Sequence, residues 1–389
     1  MAIAKPRSYA IYTVALIGFI FTLHIVIPTY SNSSFLSLFA DENTLGLIYM
    51  TGAALSIFGF LIIPTVIRNL GNYTTIFALV CIEILIFYGL ISSSDPIVLS
   101  ILFIIQSASS VLIGYCLDLF LESYTNHHKI GTTRGIYMTA MNTAWVIGPL
   151  IGSILIGEGA NYKNTFFASL SLLFPLLYLI YKNFRTFSDP NYNHPRILKL
   201  IRYFSDKNDL LKLFYLNMIL QIFYSWMVVY SPIYLNKFIG FDWSQIGTII
   251  VIMLIPFVIF EYPLGKMSDN RYGEKGIMLL GITIMGLSTI FLSLTTAKIL
   301  LVWCLIFFVT RTGASMIEIM IETYLFKIIQ VKDTEILSAF RVARPGSFFF
   351  SSGLMILGLQ FFDYRSMFVV IGIVVLTALI PIATIKDLK

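Results

Sequence analysis

The chain has 389 residues, 58% of them hydrophobic and 12% charged, with a formal net charge of +6 and a mean hydropathy of +0.85. Soluble globular proteins are about half apolar and about a quarter charged, so this composition excludes a water-soluble fold and makes lipid the solvent. The three cysteines, Cys81, Cys116 and Cys304, all lie inside apolar segments, which excludes a surface disulfide framework or a spaced metal site.

Apolar runs recur along nearly the whole chain, each long enough to cross a hydrocarbon core of about 30 Å. Their punctuation by Gly, Pro and charge predicts helices over 8–30, 44–67, 74–93, 97–122, 134–157 and 164–184. The second half follows with 210–233, 244–267, 275–294, 298–324, 337–360 and 365–386. The fold class is an all-α membrane protein of twelve transmembrane helices. No small-residue cleavage pattern follows MAIAKPRSYAIY, so the first helix is expected to be retained.

Lys and Arg fall on alternate connections. The N-terminus carries Lys5 and Arg7, and the central region carries Lys182, Arg185, Arg196, Lys199, Arg202, Lys207 and Lys212. The opposite side has Lys163, Lys237, Lys298 and Arg365, and Arg311 alone lies within a span. The positive-inside rule therefore puts both termini and the central loop in the cytoplasm of a bacterial-type inner membrane, and the net charge is a topology signal rather than a nucleic-acid footprint. Arg196, Lys199 and Arg202 fit a short amphipathic helix at an anionic lipid surface.

The two halves repeat at an offset of about 200 residues. The fourth helix ends on Asp118, Glu122 and Tyr124, and the tenth on Glu318, Glu322 and Tyr324. Pro28 and Tyr30 close the first helix as Pro232 and Tyr234 close the seventh, and Asn161 to Phe166 matches Asp363 to Phe368. Two six-helix bundles are expected, 1–184 and 210–389, joined by a cytoplasmic linker over 185–209.

The sequence resembles the major facilitator superfamily of secondary transporters over nearly its full length. Gly265, Asp269, Arg271, Gly273 and Lys275, between helices 8 and 9, look like that family's loop signature. In the matching loop between helices 2 and 3, Arg68 and Gly71 remain, but Ile67 stands at the aspartate position. Gly135, Gly148, Pro149 and Gly152 on helix 5 are similar to a glycine-proline motif associated with exporters. Phe103 replaces the arginine that opens the family's helix-4 motif, so a role tied to that arginine is not carried over. The resemblance implies two bundles around a midplane cavity, alternating access, and helices 1, 4, 7 and 10 lining the path.

Intramembrane charge is the sharpest signal, because an arginine at a helix centre costs about 2.5–3.5 kcal/mol on insertion scales. Arg311 lies mid-helix with Ser315, Glu318 and Glu322 on one face, and it could bind an anionic group or set the proton affinity of a carboxylate. Asn217, Gln221 and Tyr224 share a face of helix 7, with Trp226 nearby. With Gln106, Asn142 and Trp145 they suit a partly aromatic or amphipathic solute. His24, Glu83 and Glu318 are the candidates for proton coupling. Asp118 and Glu122, with Arg68, Arg134, Arg341 or Arg344, and Glu318 and Glu322, with Arg271 and Lys275, are expected to form a cytoplasmic gate that includes Asp269. Gly148, Pro149 and Gly152 predict close helix approach and a kink.

No enzyme signature stands out: His127 and His128 lack further ligands, and no GxxxxGK[ST] loop occurs. The expectation is a secondary active transporter without cofactor. It acts as a monomer in the bilayer on a small-molecule substrate, with proton-coupled export preferred over proton-linked uptake of a sugar, nucleoside or organic acid. From another class, a non-transporting sensor or assembly factor would reuse the fold, but it calls for a soluble domain that these short loops do not offer. A membrane-embedded transferase would call for long loops bearing acid clusters.

Overall fold

The computed structural model describes residues 7–36, 38–40, 42–126, 129–156, 161–192, 208–269, 273–330, 333–347, 350 and 361–388. Arg271, His127, His128, the run Arg196, Lys199 and Arg202, and residues 351–360 of the expected eleventh helix lie outside them. The regular structure of the described residues is helical throughout and almost all of it α, because a backbone surrounded by lipid must satisfy its polar groups within each segment. The first six helices are α1 (Arg7–Leu36), α2 (Glu42–Leu70), α3 (Asn72–Ser92), α4 (Pro96–Tyr124), α5 (Ile130–Ile156) and α6 (Lys163–Phe184). The second half comprises α7 (Asn208–Lys237), α8 (Trp243–Met267), α9 (Gly273–Leu294), α10 (Leu300–Ile328), α11 (Thr334–Arg341), α12 (Tyr364–Leu376) and α13 (Leu379–Thr384). Among the described residues, 11 helical segments are long and apolar enough to cross a membrane, with α12 and α13 forming one.

Local chemistry sets the helix ends. Asp95 caps α4, its side chain accepting from the amides of Ile97 at 2.8 Å and Val98 at 3.3 Å, with Pro96 in the first turn. Asp242 and Gln245 form a reciprocal capping box on α8. The final helix, expected as one piece over 365–386, breaks at Thr377 and Ala378. Pro381 cannot donate to the carbonyl four residues earlier, and its ring crowds that carbonyl. Pro345 stands in the same relation to the end of α11, where the helix turns at Val342.

The chain forms two compact units that do not follow the halves strictly. The first comprises Met1–Thr125, Ala140–Arg196 and Gln330–Pro345; the second comprises Asn126–Thr139, Ile197–Ile329 and Gly346–Lys389. The opening turns of α5 therefore belong to the second unit, and α11 belongs to the first. Within the first unit α4 packs on α1, α2 and α3, and α6 on α1 and α3. Within the second, α10 packs on α7, α8 and α9, and α12 on α7 and α9, so the sequence repeat recurs as a repeat of helix pairs.

Small residues bring helices together where lipid supplies no hydrophobic drive. A Cβ on Gly281 would meet the Gly313 carbonyl at 2.9 Å, where α9 crosses α10. In the first unit, a Cβ on Gly148 would meet Val26 Cβ at 2.9 Å, and one on Gly152 would overlap the Ile27 carbonyl. The α5 motif Gly148, Pro149 and Gly152 thus sits against α1.

Candidate functional site

Arg311, near the middle of α10, is 3% exposed. Its guanidinium lies over the rings of Phe223 at 5.1 Å and Tyr224 at 5.4 Å, both on α7. The Tyr224 hydroxyl donates to Glu318 Oε2 at 2.6 Å, so one tyrosine links the guanidinium and the carboxylate seven residues further along α10. Glu261 lies fully buried on α8, which packs against α10. Gln221 Nε2 lies 3.5 Å from Asn217 Oδ1 one turn away. Trp226 turns elsewhere, packing edge-on against Phe368. The second unit therefore gathers Arg311, Tyr224 and Glu318, while Gln106, Asn142 and Trp145 are half-buried in the first.

A second arrangement joins the ends of α5, α8 and α10. Asp269 Oδ1 accepts the Gly131 amide at 3.0 Å, and Oδ2 accepts the Thr132 amide at 2.7 Å and hydroxyl at 2.9 Å. The carboxylate thereby satisfies orphan amides in the first turn of α5, where the helix dipole favours negative charge. Gly131 and Gly265 meet backbone to backbone, and a Cβ on Gly135 would lie 2.8 Å from Tyr262 Cα. Arg134, 2% exposed, stacks on Phe326 at 3.2 Å and reaches Glu322 at 3.9 Å. Lys327 approaches Asp269 at 3.8 Å and donates to Glu274 at 2.5 Å.

The expected partners of the gate residues thus differ in part. Glu322 meets Arg134 rather than Lys275, and Glu318 meets Tyr224. Lys275 donates instead to the Ala383 carbonyl at 2.7 Å. Arg68 is half-buried, Glu122 is buried and Arg344 is exposed.

The first unit binds α11 differently. Arg341 Nη2 and Nε reach Asp118 Oδ2 at 2.8 Å and 3.0 Å. The Tyr115 hydroxyl donates to the Thr334 carbonyl at 2.5 Å, and Ser338 donates to the Phe60 carbonyl. Ile67, at the position matching Asp269, is fully buried. Here a salt bridge and two hydroxyls replace the capping carboxylate.

His24 and Glu83, read separately from the sequence, meet in the first unit with Nε2 and Oε2 3.7 Å apart and both side chains fully buried. The Ser109 hydroxyl donates to Glu83 Oε1 at 2.7 Å, and His24 Nδ1 lies 3.1 Å from the Ser169 carbonyl.

Sequence reasoning missed Glu261, Lys327, Glu274, Asp189 and Asp387. The repeat could have found the last two. Gly71 and Gly273, with φ of 83° and 63°, open α3 and α9, and both turns need a residue tolerant of positive φ. Asp189 accepts the Asn72 amide at 2.9 Å, and Asp387 accepts the Glu274 amide at 3.1 Å. Tyr192 also donates to Asp189 at 2.7 Å, and burial pushes its phenol pKa up, with that hydrogen bond adding to the rise.

Residues 213–387 match the family model described as Major Facilitator Superfamily. No curated protein matches the sequence. Among solved structures, the human organic anion transporter MFSD10 (TETRAN) superposes with a TM-score of 0.75 at 10% identity, covering 97% of this chain and 100% of that one. A bacterial homologue of the iron transporter ferroportin, in an outward-facing state, gives 0.73 at 14% identity, covering 96% and 98%. At these identities the likeness shows a shared fold.

Proposed function

We propose that this chain, a membrane transporter of the major facilitator superfamily, carries a small organic solute bearing an anionic group, by alternating access, outward and in exchange for protons. The observation that carries the reading is the cluster of buried Arg311 with half-buried Tyr224 and Glu318, together with buried Glu261 on α8, which packs against α10. Ionisable groups inside a span are costly and persist where they serve a path or a ligand. The guanidinium supplies fixed positive charge for an acid group, the aromatic rings supply apolar surface, and the two carboxylates supply sites for a proton. The organic anion named for the human structural neighbour is in keeping with that chemistry.

Loop charge orients the molecule in a bacterial-type inner membrane with both termini cytoplasmic, and the chain acts as a monomer. In that frame the ties of α5 to Asp269 and Glu322, and of α11 to Asp118, lie on the cytoplasmic side. Alternating access would loosen the ties that hold the opening turns of α5 and the helix α11. Each tie is a small term, and together they bias two states separated by a few kcal/mol.

The test is a thermal-stability screen of the purified protein against matched organic anions and their neutral amides. Ligand at a hundred times its dissociation constant adds about 2.7 kcal/mol of stability. An anion, but not its amide, should stabilise wild type, and Arg311→Ala should abolish the effect. Equal stabilisation of wild type and Arg311→Ala would remove Arg311 from the site.

A further inference from the structure

We infer that His24 and Glu83 form a proton-binding site in the first unit that holds one proton between them. The argument is one of donors and acceptors. The Ser169 carbonyl can only accept, so His24 Nδ1, 3.1 Å away, carries a hydrogen and donates it. A neutral imidazole in that tautomer presents a bare lone pair at Nε2. Facing it at 3.7 Å is Glu83 Oε2, and among the described residues neither atom has a hydrogen-bond partner. The other carboxylate oxygen is satisfied by Ser109 at 2.7 Å.

With no further proton, a lone pair would confront a buried carboxylate oxygen, and neither atom would offer the other a donor. With two, a buried imidazolium would face a neutral acid and lack its counter-ion. One proton between Nε2 and Oε2 gives each atom a complementary partner across the 3.7 Å gap, and an approach of the two side chains by about 0.7 Å makes that contact a hydrogen bond. The proton can sit on nitrogen as an ion pair or on oxygen as a neutral pair, and its transfer breaks one bond to hydrogen and forms another.

The surroundings contribute little competing charge. His24 is the one ionisable side chain of α1 between Tyr12 and the helix end at Leu36, apart from Tyr30, and Glu83 is the one carboxylate of α3, which otherwise holds Tyr73, Cys81 and Tyr88. α4 places Asp118 and Glu122 two or more turns beyond Ser109, with Tyr115, Cys116 and Tyr124 between and beyond them. α6 carries Lys163 and Lys182 near its ends with Tyr178 and Tyr181. The Phe87 ring packs against the imidazole at 4.6 Å, tilted by 58°, and Phe21 lies at 6.2 Å.

The second unit provides an internal control for the packing role. Counting from Gly71 and Gly273, Glu83 corresponds to Met285. Counting from Phe166 and Phe368, Ser169 corresponds to Ile371. Both counterparts are fully buried apolar side chains. The helix arrangement therefore packs at these positions without polar groups, and the cluster in the first unit serves another purpose.

This site deepens the proton exchange proposed above by naming where a proton is held. Its use in transport rests on that reading, but its occupancy does not. Occupancy is measured on the solute-free protein in lipid nanodiscs at neutral pH by infrared and NMR spectroscopy. Imidazole ¹⁵N shifts report His24, assigned by His24→Gln. The carboxyl stretch reports Glu83, assigned by its loss in Glu83→Gln and by its frequency change in Ser109→Ala, which removes the donor and keeps the acid. The expected result is one proton on the pair, either an imidazolium with a carboxylate or a neutral imidazole with a carboxylic acid. A neutral imidazole with an ionised carboxylate, or an imidazolium with a carboxylic acid, would overturn the inference. Flux that fails in liposomes would count against the transport reading and leave this result standing.

Discussion

Asp269 caps Thr132: Oδ2 accepts both the amide, at 2.7 Å, and the hydroxyl, at 2.9 Å, of a residue more than a hundred positions earlier. The aspartate of the loop signature thus acts as an N-cap for a helix from the other half of the chain, and Lys327 at 3.8 Å completes its surroundings. Asp269→Asn keeps the shape but removes the charge that strengthens these bonds. A loss of about 1–2 kcal/mol changes a two-state ratio about five- to thirtyfold. A cysteine placed at Thr133, in a background with the native cysteines replaced, should react faster with an impermeant maleimide applied from the cytoplasmic side. An unchanged labelling rate would separate the cap from the conformational equilibrium.

The salt bridge of Asp118 with Arg341, at 2.8 Å and 3.0 Å, should be energetically coupled. A double-mutant cycle of Asp118→Asn and Arg341→Gln, read by thermal unfolding, is expected to give a coupling of about 0.5–3 kcal/mol. A coupling of zero would make the pair an incidental contact.

Gly131 and Gly265 touch through their backbones, and a Cβ on either would overlap the other's carbonyl oxygen. Gly265→Ala is expected to cost about 1–3 kcal/mol through overpacking and to raise labelling at position 133 as Asp269→Asn does. Gly247→Ala, on the same helix with open space around it, serves as the neutral comparison.

Asp363 caps α12, accepting the Ser366 amide at 2.8 Å, and hydrogen bonds from Ser366 hold its carboxyl below the usual carboxylate range. The stabilisation is present above the unfolded-state pKa and is lost as pH falls through the lower folded-state value. Thermal stability should therefore drop on acidification by more in wild type than in Asp363→Ala. The substitution itself should cost about 0.5–2 kcal/mol at neutral pH.

The helices were legible in the sequence because lipid makes each span long and apolar. The repeat of Asp118, Glu122 and Tyr124 in Glu318, Glu322 and Tyr324 foretold the two bundles. Arg311 stood out because the cost of burying it is high wherever it points. Partners were harder to read. Helix periodicity gives a face but not the helix opposite, so His24 and Glu83 were named apart and Glu322 was assigned to other cations than Arg134. Glu261 was passed over because its place near a helix end resembles an interfacial charge, whereas the fold buries it completely. The grouping of residues 126–139 with the second unit and 330–345 with the first has no sequence signature, since it rests on tertiary contacts rather than on local propensity.

Transport itself is tested most directly in proteoliposomes with an imposed pH gradient and a panel of labelled organic anions. Wild type should move at least one anion up its concentration gradient, opposite to the proton flow, and collapse of the pH gradient should stop it. Arg311→Ala should lose that flux while remaining folded. An absence of gradient-dependent flux across the panel, or flux in Arg311→Ala equal to wild type, would contradict the account.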